Sequence, residues 1–218
     1  MRIDKDCYGT IAGAWCFALV LLFLDLWLIP FRFIAWPVAA ILVVFMLFVT
    51  WFHRVPVRGK AGDDRVVSSV ADGKVIIVEK AFENEFLQRE CIQVSIYMNF
   101  FDVHANFWPL TGKISYYKYH PGRYFLAFHP KASELNEHSS TCIRSPHGEV
   151  FFKQIAGTFA RRIVCYSQEG ADVKAGEQCG IIKFGSRIDM YFPLDTDIKV
   201  KVGDLTRASE TVIAELKG

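Results

Sequence analysis

The sequence lacks the cysteine spacing, the basic runs and the evenly spread charge that mark several common functional classes. None of its six cysteines forms a Cys-x-x-Cys pair, which excludes a zinc knuckle and a thioredoxin-like redox motif. The 25 Lys and Arg residues nearly balance the 23 Asp and Glu residues and never cluster densely, so nucleic acid is not an expected partner. With 52% hydrophobic and 22% charged residues, the chain is not disordered, yet it is too apolar for an ordinary soluble domain.

Charged side chains are almost missing from residues 11–52, where Asp25 and Arg32 are the only two. Around Arg32 the segment divides into residues 11–29 and 33–52. Each half is close to the length of about 20 residues that crosses a bilayer. We therefore expect a hydrophobic helical hairpin at the N-terminus.

The same residues bear on two alternatives to a membrane-spanning hairpin. A cleavable signal peptide would be about half as long and would not carry four tryptophans, which are typical of membrane interfaces. A hairpin that enters only one leaflet stays open, because Asp25, Pro30 and Pro37 interrupt the apolar run. The expected domains are residues 1–55, a membrane-associated hairpin, and residues 56–218, a domain of ordinary polarity.

Basic residues predict the orientation of the hairpin. Lys and Arg are enriched in cytoplasmic flanks of membrane segments, and here they stand before the first apolar half and after the second. Both ends, and with them the main domain, are therefore expected on the cytoplasmic face of the cell (inner) membrane. The flanking basic residues are Arg2, Lys5, His53, Arg54, Arg58 and Lys60.

The remainder of the chain has the pattern of a β-rich domain. Short runs of β-branched and aromatic residues alternate with turns rich in Gly, Pro, Asn and Asp, and helical signal is confined to short patches. The pattern predicts a mainly β (α+β) fold and not a parallel βα architecture. The strand-like runs are residues 74–78, 92–97, 114–119, 124–128, 149–155, 188–192 and 212–216.

One internal repeat is visible in this domain. Residues 170–183 return as residues 203–216, 33 positions later, and each copy is a turn that leads into an apolar run. The turns resemble the hammerhead turns of barrel-sandwich hybrids such as lipoyl and biotinyl domains, and Asp72-Gly73 resembles their strand opening. The repeat therefore favours a barrel-sandwich-hybrid-like domain.

The dipeptide Gly185-Ser186 stands between two strand-like halves and has a chemical use beyond that of a turn. A serine hydroxyl forced against the preceding carbonyl can convert the amide to an ester, and glycine on the acyl side minimises hindrance and tolerates strain. β-Elimination of the ester gives dehydroalanine, whose hydrolysis releases ammonia and leaves a pyruvoyl group. A lone Gly-Ser pair is usually a plain turn, so this chemistry depends on the surrounding sequence.

Four blocks of sequence supply that context, and they are specific in combination although each is weak alone. In residue order and separation they resemble the phosphatidylserine decarboxylase proenzymes of the short prokaryotic type. The resemblance runs from about Trp51 to Leu216. The blocks are residues 152–164 with 182–193, residues 102–109, residues 119–122 and residues 131–137.

The resemblance implies self-cleavage between Gly185 and Ser186 into a β chain, 1–185, and an α chain, 186–218. Ser186 would become a covalent pyruvoyl group that forms a Schiff base with phosphatidylserine and releases CO₂ to give phosphatidylethanolamine. The chain is thus expected to be a pyruvoyl-dependent decarboxylase of phospholipid biosynthesis, made as a zymogen, with membrane lipid as partner and no metal. A homodimer is expected from the family by analogy alone.

The resemblance also implies roles for individual residues. His104 matches the proton donor of the decarboxylation step. Asp72 matches the aspartate of an Asp-His-Ser triad for self-cleavage. Longer members place the triad histidine where this chain has Phe107, so the base for Ser186 stays open between His104 and His120, with His147 less favoured.

Residues for substrate binding are harder to assign. Arg161 and Arg162 are candidates for the lipid phosphate, because guanidinium gives bidentate hydrogen bonds to phosphate oxygens. An apolar cluster surrounds His104 and is either an acyl-chain or membrane contact or a patch of core. Its members are Phe100, Phe101, Phe107, Trp108 and Leu110.

The sequence leaves three alternative functions open. A membrane-anchored carrier-like module would present Lys183 where carrier domains present their modified lysine, but the flanking signature is missing. A pyruvoyl decarboxylase of another amine substrate would leave the apolar hairpin unexplained. A member that no longer processes itself is kept open by Phe107.

Overall fold

A computed structural model describes residues 1–126, 132–158, 162–183 and 186–217, without the side chains of residues 132 and 134. The chain divides into two compact units, Met1–Pro56 and Val57–Gly218.

The first unit is the helical hairpin that the apolar segment predicts. Helix α1 spans Tyr8–Leu28 and helix α2 spans Arg32–Phe52, each 21 residues. Helix α1 ends where Ile29 precedes Pro30, because a residue before proline disfavours helical geometry. Strand β1 (Arg2–Ile3) pairs with strand β2 (Arg54–Val55) and closes the open end of the hairpin.

The two helices pack through small side chains and one tryptophan. Ala18, Ala35 and Ala39 are buried, and small residues let apolar helices approach closely. The indole Nε1 of Trp15 donates to Thr50 Oγ1 at 3.0 Å and links α1 to α2. By length and composition both helices are sufficient to cross a membrane.

The second unit is strand-rich, as expected. Its strands are β3 Val66–Ser68, β4 Gly73–Glu83, β5 Arg89–Met98, β6 Ala105–Phe107, β7 Gly112–His120, β8 His138–Ser145, β9 Gly148–Ala156, β10 Ile163–Cys165, β11 Asp172–Val173, β12 Gln178–Ile182, β13 Ser186–Phe192, β14 Asp197–Ile198, β15 Leu205–Thr206 and β16 Val212–Glu215. A short helix, α3, spans Ala132–Leu135. An eight-stranded antiparallel sheet has the order β11-β7-β8-β9-β13-β5-β4-β15, and two three-stranded sheets have the orders β10-β12-β6 and β14-β16-β3.

The internal repeat is confirmed by the backbone. Gly170 and Gly203 have φ of 83° and 100°, and Gly176 and Ser209 have φ of 85° and 68°, so left-handed residues recur 33 positions apart. The first strand of each copy, β11 and β15, forms one edge of the large sheet, and the second, β12 and β16, is the centre of a small sheet. A Cβ atom on Gly176 would lie 3.1 Å from Ser209 Oγ, so the two turns meet.

One run that the pattern assigned to a strand is not a strand where it is described. Residues 124–126 are irregular, and residues 127–128 lie outside the described residues. The amide side chain of Asn136 takes the place of a neighbouring strand, since it accepts from Phe125 N at 2.9 Å and donates to Phe125 O at 2.8 Å.

Strand β13 is buried on both of its faces. Ile188, Met190 and Phe192 belong to the main apolar core on one face. Arg187 and Asp189 point to the reverse face, where they are equally buried. A seven-residue strand with no exposed side chain is typical of the centre of a sheet covered on both sides.

The reverse face carries a polar network centred on Glu85. Its carboxylate accepts from Lys153 Nζ at 2.8 Å, His120 Nε2 at 2.6 Å and Ser140 Oγ at 2.9 Å. Tyr116 OH donates to the same carboxylate at 3.1 Å. Burial by itself raises the pKa of Glu85, but the bonds and charge of Lys153 and the bonds from His120 and Ser140 lower it to about 2.

We expect Glu85→Gln to lower the midpoint of thermal unfolding by about 5 °C at pH 7, because Lys153 loses the nearer of its two carboxylate partners and keeps only Glu83, at 4.0 Å. A folded-state pKa near 2, against an ordinary value of 4.5, contributes stability that is present above 4.5 and lost as the pH falls toward 2. The difference between the two proteins should therefore shrink between pH 5 and pH 3. The difference in unfolding midpoint is measured by circular dichroism of the strand signal, with a change at the exposed Glu90, Glu90→Gln, as control. An equal difference at pH 5 and pH 3 would contradict the network.

Candidate active site

Ser186 occupies the first position of β13, with a strand on each side. It pairs with Met98 at the end of β5 and with Ala156 at the end of β9. Its side chain is fully buried, and Oγ donates to Met98 Sδ at 3.0 Å. Gly185, the other half of the expected cleavage site, lies outside the described residues.

His104 is brought to the same end of the sheet. Its carbonyl oxygen accepts from Ile182 N at 3.2 Å, four residues before Ser186. The imidazole is buried, and Nδ1 lies 3.1 Å from the carbonyl of Asp102. Because a carbonyl only accepts, the Nδ1 of His104 carries a proton in this contact.

A chain of buried polar groups leads across the sheet toward Ser186. Ser139 Oγ donates to Gln154 Oε1 at 2.9 Å, and Gln154 Nε2 donates to Asn106 Oδ1 at 2.8 Å. Asn106 Nδ2 then lies 3.9 Å from Met98 Sδ, the sulfur to which Ser186 donates. Gln154 is not among the site residues predicted from the sequence, although a lone Gln in the mainly apolar strand β9 indicates a buried polar contact.

Glu137 contributes a buried carboxylate to the same face. The backbone carbonyl of Glu137 accepts from Ala156 N at 2.9 Å, and Ala156 in turn pairs with Ser186. Glu137, Ala156 and Ser186 therefore lie in one row across three neighbouring chain segments. Its side chain accepts from Tyr124 OH at 2.6 Å and from Ile163 N at 3.3 Å. Burial, and secondly the nearby carboxylate of Glu137, raise the pKa of Tyr119.

On the reverse face the start of β13 is locked by an ion pair. Arg187 Nε lies 2.5 Å from Asp189 Oδ1, and Arg187 Nη2 donates to Ser95 Oγ at 3.1 Å. Ser133 Oγ of α3 donates to Asp189 Oδ2 at 2.7 Å. Neither charged residue was singled out from the sequence, because alternate residues of an apolar strand gave no sign that both would be buried.

Asp72 lies at the start of β4, but its partner is an arginine. Both carboxylate oxygens bind Arg58, with Nη2 2.7 Å from Oδ2, and Ala208 N donates to Oδ1 at 2.8 Å. The guanidinium carbon of Arg58 lies 6.0 Å from the ring centroid of Phe107, the residue at the family's triad histidine position. A Cβ on Gly73 would be 2.2 Å from Tyr97 O, so the Asp-Gly start of β4 requires glycine.

His120 is not brought to Ser186. Across the sheet, His120 pairs with His138, His138 pairs with Ile155, and Ile155 pairs with Arg187. Cross-strand partners of this kind share a face of the sheet. His120 therefore lies three strands from β13, on the face opposite to the Ser186 side chain, where it binds Glu85. Sequence adjacency to a turn could not reveal which face it occupies.

Glu85, His120 and His138 form a cluster with metal-ligating atoms within 4.8 Å of one another. The two imidazole rings are stacked, with centroids 4.3 Å apart and planes 14° apart. Ring nitrogens bind metals along lone pairs in the ring plane, so nearly parallel rings do not direct them at one ion. Lys153 already supplies the positive charge beside Glu85.

The expected substrate-binding arginines are only partly described. Arg162 is exposed, and its carbonyl accepts from Lys183 N at 3.3 Å. Arg161 lies outside the described residues. The side chain of Lys183 is 7% exposed, which disagrees with a carrier lysine that must be presented to a modifying enzyme.

Among the described residues, a buried serine stands at a strand start, a buried histidine lies on a neighbouring segment, and no charged side chain hydrogen-bonds the serine hydroxyl. These are the parts needed for an internal attack by a hydroxyl that is protected from water. The Phosphatidylserine decarboxylase family model matches residues 45–214 of the chain.

Named relatives agree with this match. A phosphatidylserine decarboxylase proenzyme of Cytophaga hutchinsonii is 38% identical over 217 residues, 99% of each chain. One of Bacteroides thetaiotaomicron is 42% identical over 191 residues, 87% of this chain and 82% of that protein. One of Syntrophus aciditrophicus is 44% identical over 166 residues, 76% of this chain and 78% of that protein. The chain therefore belongs to the phosphatidylserine decarboxylase family of lyases, as the four sequence blocks indicated.

Proposed function

We propose that this chain is a proenzyme that cuts itself between Gly185 and Ser186, makes a pyruvoyl group from Ser186 and decarboxylates phosphatidylserine to phosphatidylethanolamine. The observation that carries the proposal is the buried Ser186 at the start of a central strand, in a member of this family. The products of cleavage would be a β chain, 1–185, and an α chain, 186–218.

The surroundings of Ser186 suit a small uncharged group. Its side chain contacts the thioether of Met98, and the nearest strand partner on the other side is Ala156. All seven residues of β13 pair with β5, and six of them, Ser186 to Tyr191, also pair with β9, so the new chain end would be held after the backbone is cut. When formed, a pyruvoyl ketone condenses with the substrate amine and withdraws the electron pair of the breaking Cα–CO₂⁻ bond.

In the proposed self-cleavage, His104 Nε2 takes the proton of the Ser186 hydroxyl, and Oγ attacks the carbonyl carbon of Gly185. The C–N bond breaks as the C–O bond forms, and the proton passes to the amine. Elimination then transfers the Cα proton of residue 186 to a base and breaks its Cβ–Oγ bond, which releases the Gly185 carboxylate and leaves dehydroalanine. Water adds to the imine tautomer of this residue and ammonia leaves, so that a pyruvoyl group remains. The burial of His104 keeps bulk water away from the ester until elimination.

In the proposed decarboxylation, His104 returns a proton to the substrate Cα after CO₂ leaves. Arg162, with Arg161 as its sequence neighbour, would bind the lipid phosphate, since guanidinium favours phosphate oxygens. Asp72 would act by holding the turn at the start of β4, because its carboxylate is committed to Arg58 and Ala208. His120 has no part in this scheme.

We propose residues 1–55 as the membrane-associated hairpin and residues 56–218 as the catalytic domain. The basic flanks favour the cell (inner) membrane with the domain on the cytoplasmic face. Phosphatidylserine would then reach the enzyme as a membrane lipid. A homodimer is proposed from family analogy, and sedimentation of the detergent-solubilised chain would test it.

Ser186→Ala should leave the chain whole and inactive, because no hydroxyl remains to attack Gly185. Denaturing mass spectrometry should find fragments 1–185 and 186–218 in the parent, the second carrying a terminal ketone reducible by borohydride. Ser115→Ala is a matched control, since Ser115 Oγ makes one long bond of 3.5 Å. An intact parent chain under active conditions would overturn the proposal, as would decarboxylation by the uncut Ser186→Ala variant.

His104→Gln should slow self-cleavage by about 100-fold or more, in the range expected for loss of a general base. The rate is followed by the appearance of the small chain on denaturing gels after synthesis. His147→Gln and His120→Gln should process normally. If His120→Gln blocks processing and His104→Gln does not, the base has been assigned to the wrong histidine.

Variants of Arg58 and Asp72 can distinguish a positioning role of Asp72 in self-cleavage from a direct one. If Asp72 acts by holding the turn, Arg58→Gln and Asp72→Asn should slow self-cleavage to a similar degree and both lower thermal stability. If Asp72 contacts the reacting groups directly, Asp72→Asn alone should block cleavage. Cleavage rates and melting temperatures of both variants distinguish the two outcomes.

A further inference from the structure

Exposed apolar side chains of the β-rich unit are concentrated near Ser186. Among its described residues, eleven large apolar side chains are exposed. Six of them lie in segments next to the row formed by Ser186, Ala156 and Glu137 across the sheet. Phe101 is the most exposed of the six, at 72%. We call these six the entrance surface: Phe101, Tyr119, Tyr124, Phe125, Leu126 and Leu135.

The fold connects the entrance surface to both partners of Ser186. On one side, β5 ends at Met98 and runs directly into the turn that carries Phe101. On the other side, Asn136 Nδ2 donates to the carbonyl of Ala156 at 2.7 Å, and Leu135 is its chain neighbour. The entrance surface therefore flanks the serine on both sides.

The exposure of these side chains follows from a fixed backbone. Arg123 N donates to Leu135 O at 2.7 Å, and Glu137 N donates to Arg123 O at 3.0 Å. The buried Asn136 holds both backbone groups of Phe125. A Cβ on Gly122 would lie 2.4 Å from the carbonyl carbon of Asn136, so this close approach requires glycine. The segment is thus held tightly while its apolar side chains face outward.

The charge and composition of the surface suit an anionic bilayer. Arg123 and Arg162 are exposed beside it, and the guanidinium of Arg123 lies 6.0 Å from the ring of Phe125. The carboxylate of Asp102 is engaged by Asn99 N at 2.8 Å. Four of the six side chains are aromatic, and aromatic rings beside arginine are typical of segments that enter the headgroup region.

We propose that the entrance surface is the face with which the β-rich unit enters an anionic phospholipid bilayer. The inference rests on the proposed function, because Ser186 is fully buried and a lipid amine must reach it while the acyl chains stay in an apolar phase. Burying the six side chains in the interface keeps that path closed to water.

Crosslinking tests the contact without using activity. The full chain, with p-benzoylphenylalanine in place of Phe101 or Phe125, is reconstituted in vesicles of phosphatidylserine and phosphatidylcholine and irradiated. Phe82 is the matched control, since it is 62% exposed and lies near the far end of β4. Mass spectrometry should find lipid adducts at positions 101 and 125, at least about fivefold above position 82. Equal adducts at all three positions, or adducts to a second copy of the chain instead of lipid, would overturn the proposal.

Activity gives a second measurement. For Phe101→Ser with Phe125→Ser, the ratio of turnover on vesicle phosphatidylserine to turnover on a dispersed short-chain analogue should fall about tenfold, because less apolar surface enters the bilayer. Phe82→Ser should leave the ratio unchanged. An unchanged ratio in the double variant would contradict the membrane contact. A parent that decarboxylates neither substrate while crosslinking to lipid would overturn the proposed function alone.

Discussion

The pairing of β13 on both sides is the constraint on which the rest of the site depends. Ser186 is the first residue of this strand, held between Met98 and Ala156, with the strand buried on both faces. The ion pair of Arg187 and Asp189 locks the strand from the reverse face. A chain cut just before such a strand keeps its new end in place, because the hydrogen bonds that hold it belong to neighbouring strands and not to the severed bond.

The sheet also separates two kinds of polar chemistry. On the face of Ser186, polar groups form a buried chain through Gln154 and Asn106. On the reverse face, Glu85 gathers Lys153, His120 and Ser140. The period of two along a strand makes this separation strict, since one residue of register moves a side chain to the other face. A histidine on the reverse face is therefore unsuited to serve Ser186 directly.

Local and repeated patterns were predictable. The apolar run with only two charged residues predicted the two helices, and the repeat predicted equivalent turns, which share left-handed residues at Gly176 and Ser209. Predictions that needed long-range pairing were less complete. Residues 124–126 have strand-like composition but are irregular, because the buried side chain of Asn136 binds their backbone. Asp72 pairs with Arg58, 14 positions earlier in the chain. This separation matches no local sequence pattern from which the ion pair could have been predicted.

The helical hairpin, the strand-rich domain with its repeat and the family could all be predicted from the amino-acid sequence alone. These follow from local composition, from periodicity and from the order of motifs along the chain. The face of the sheet on which His120 lies, the charged groups buried against the sheet and the place where exposed apolar side chains gather became visible only in the folded chain. Those outcomes depend on the register between strands far apart in sequence, and register is set by packing of the whole sheet and not by any one segment.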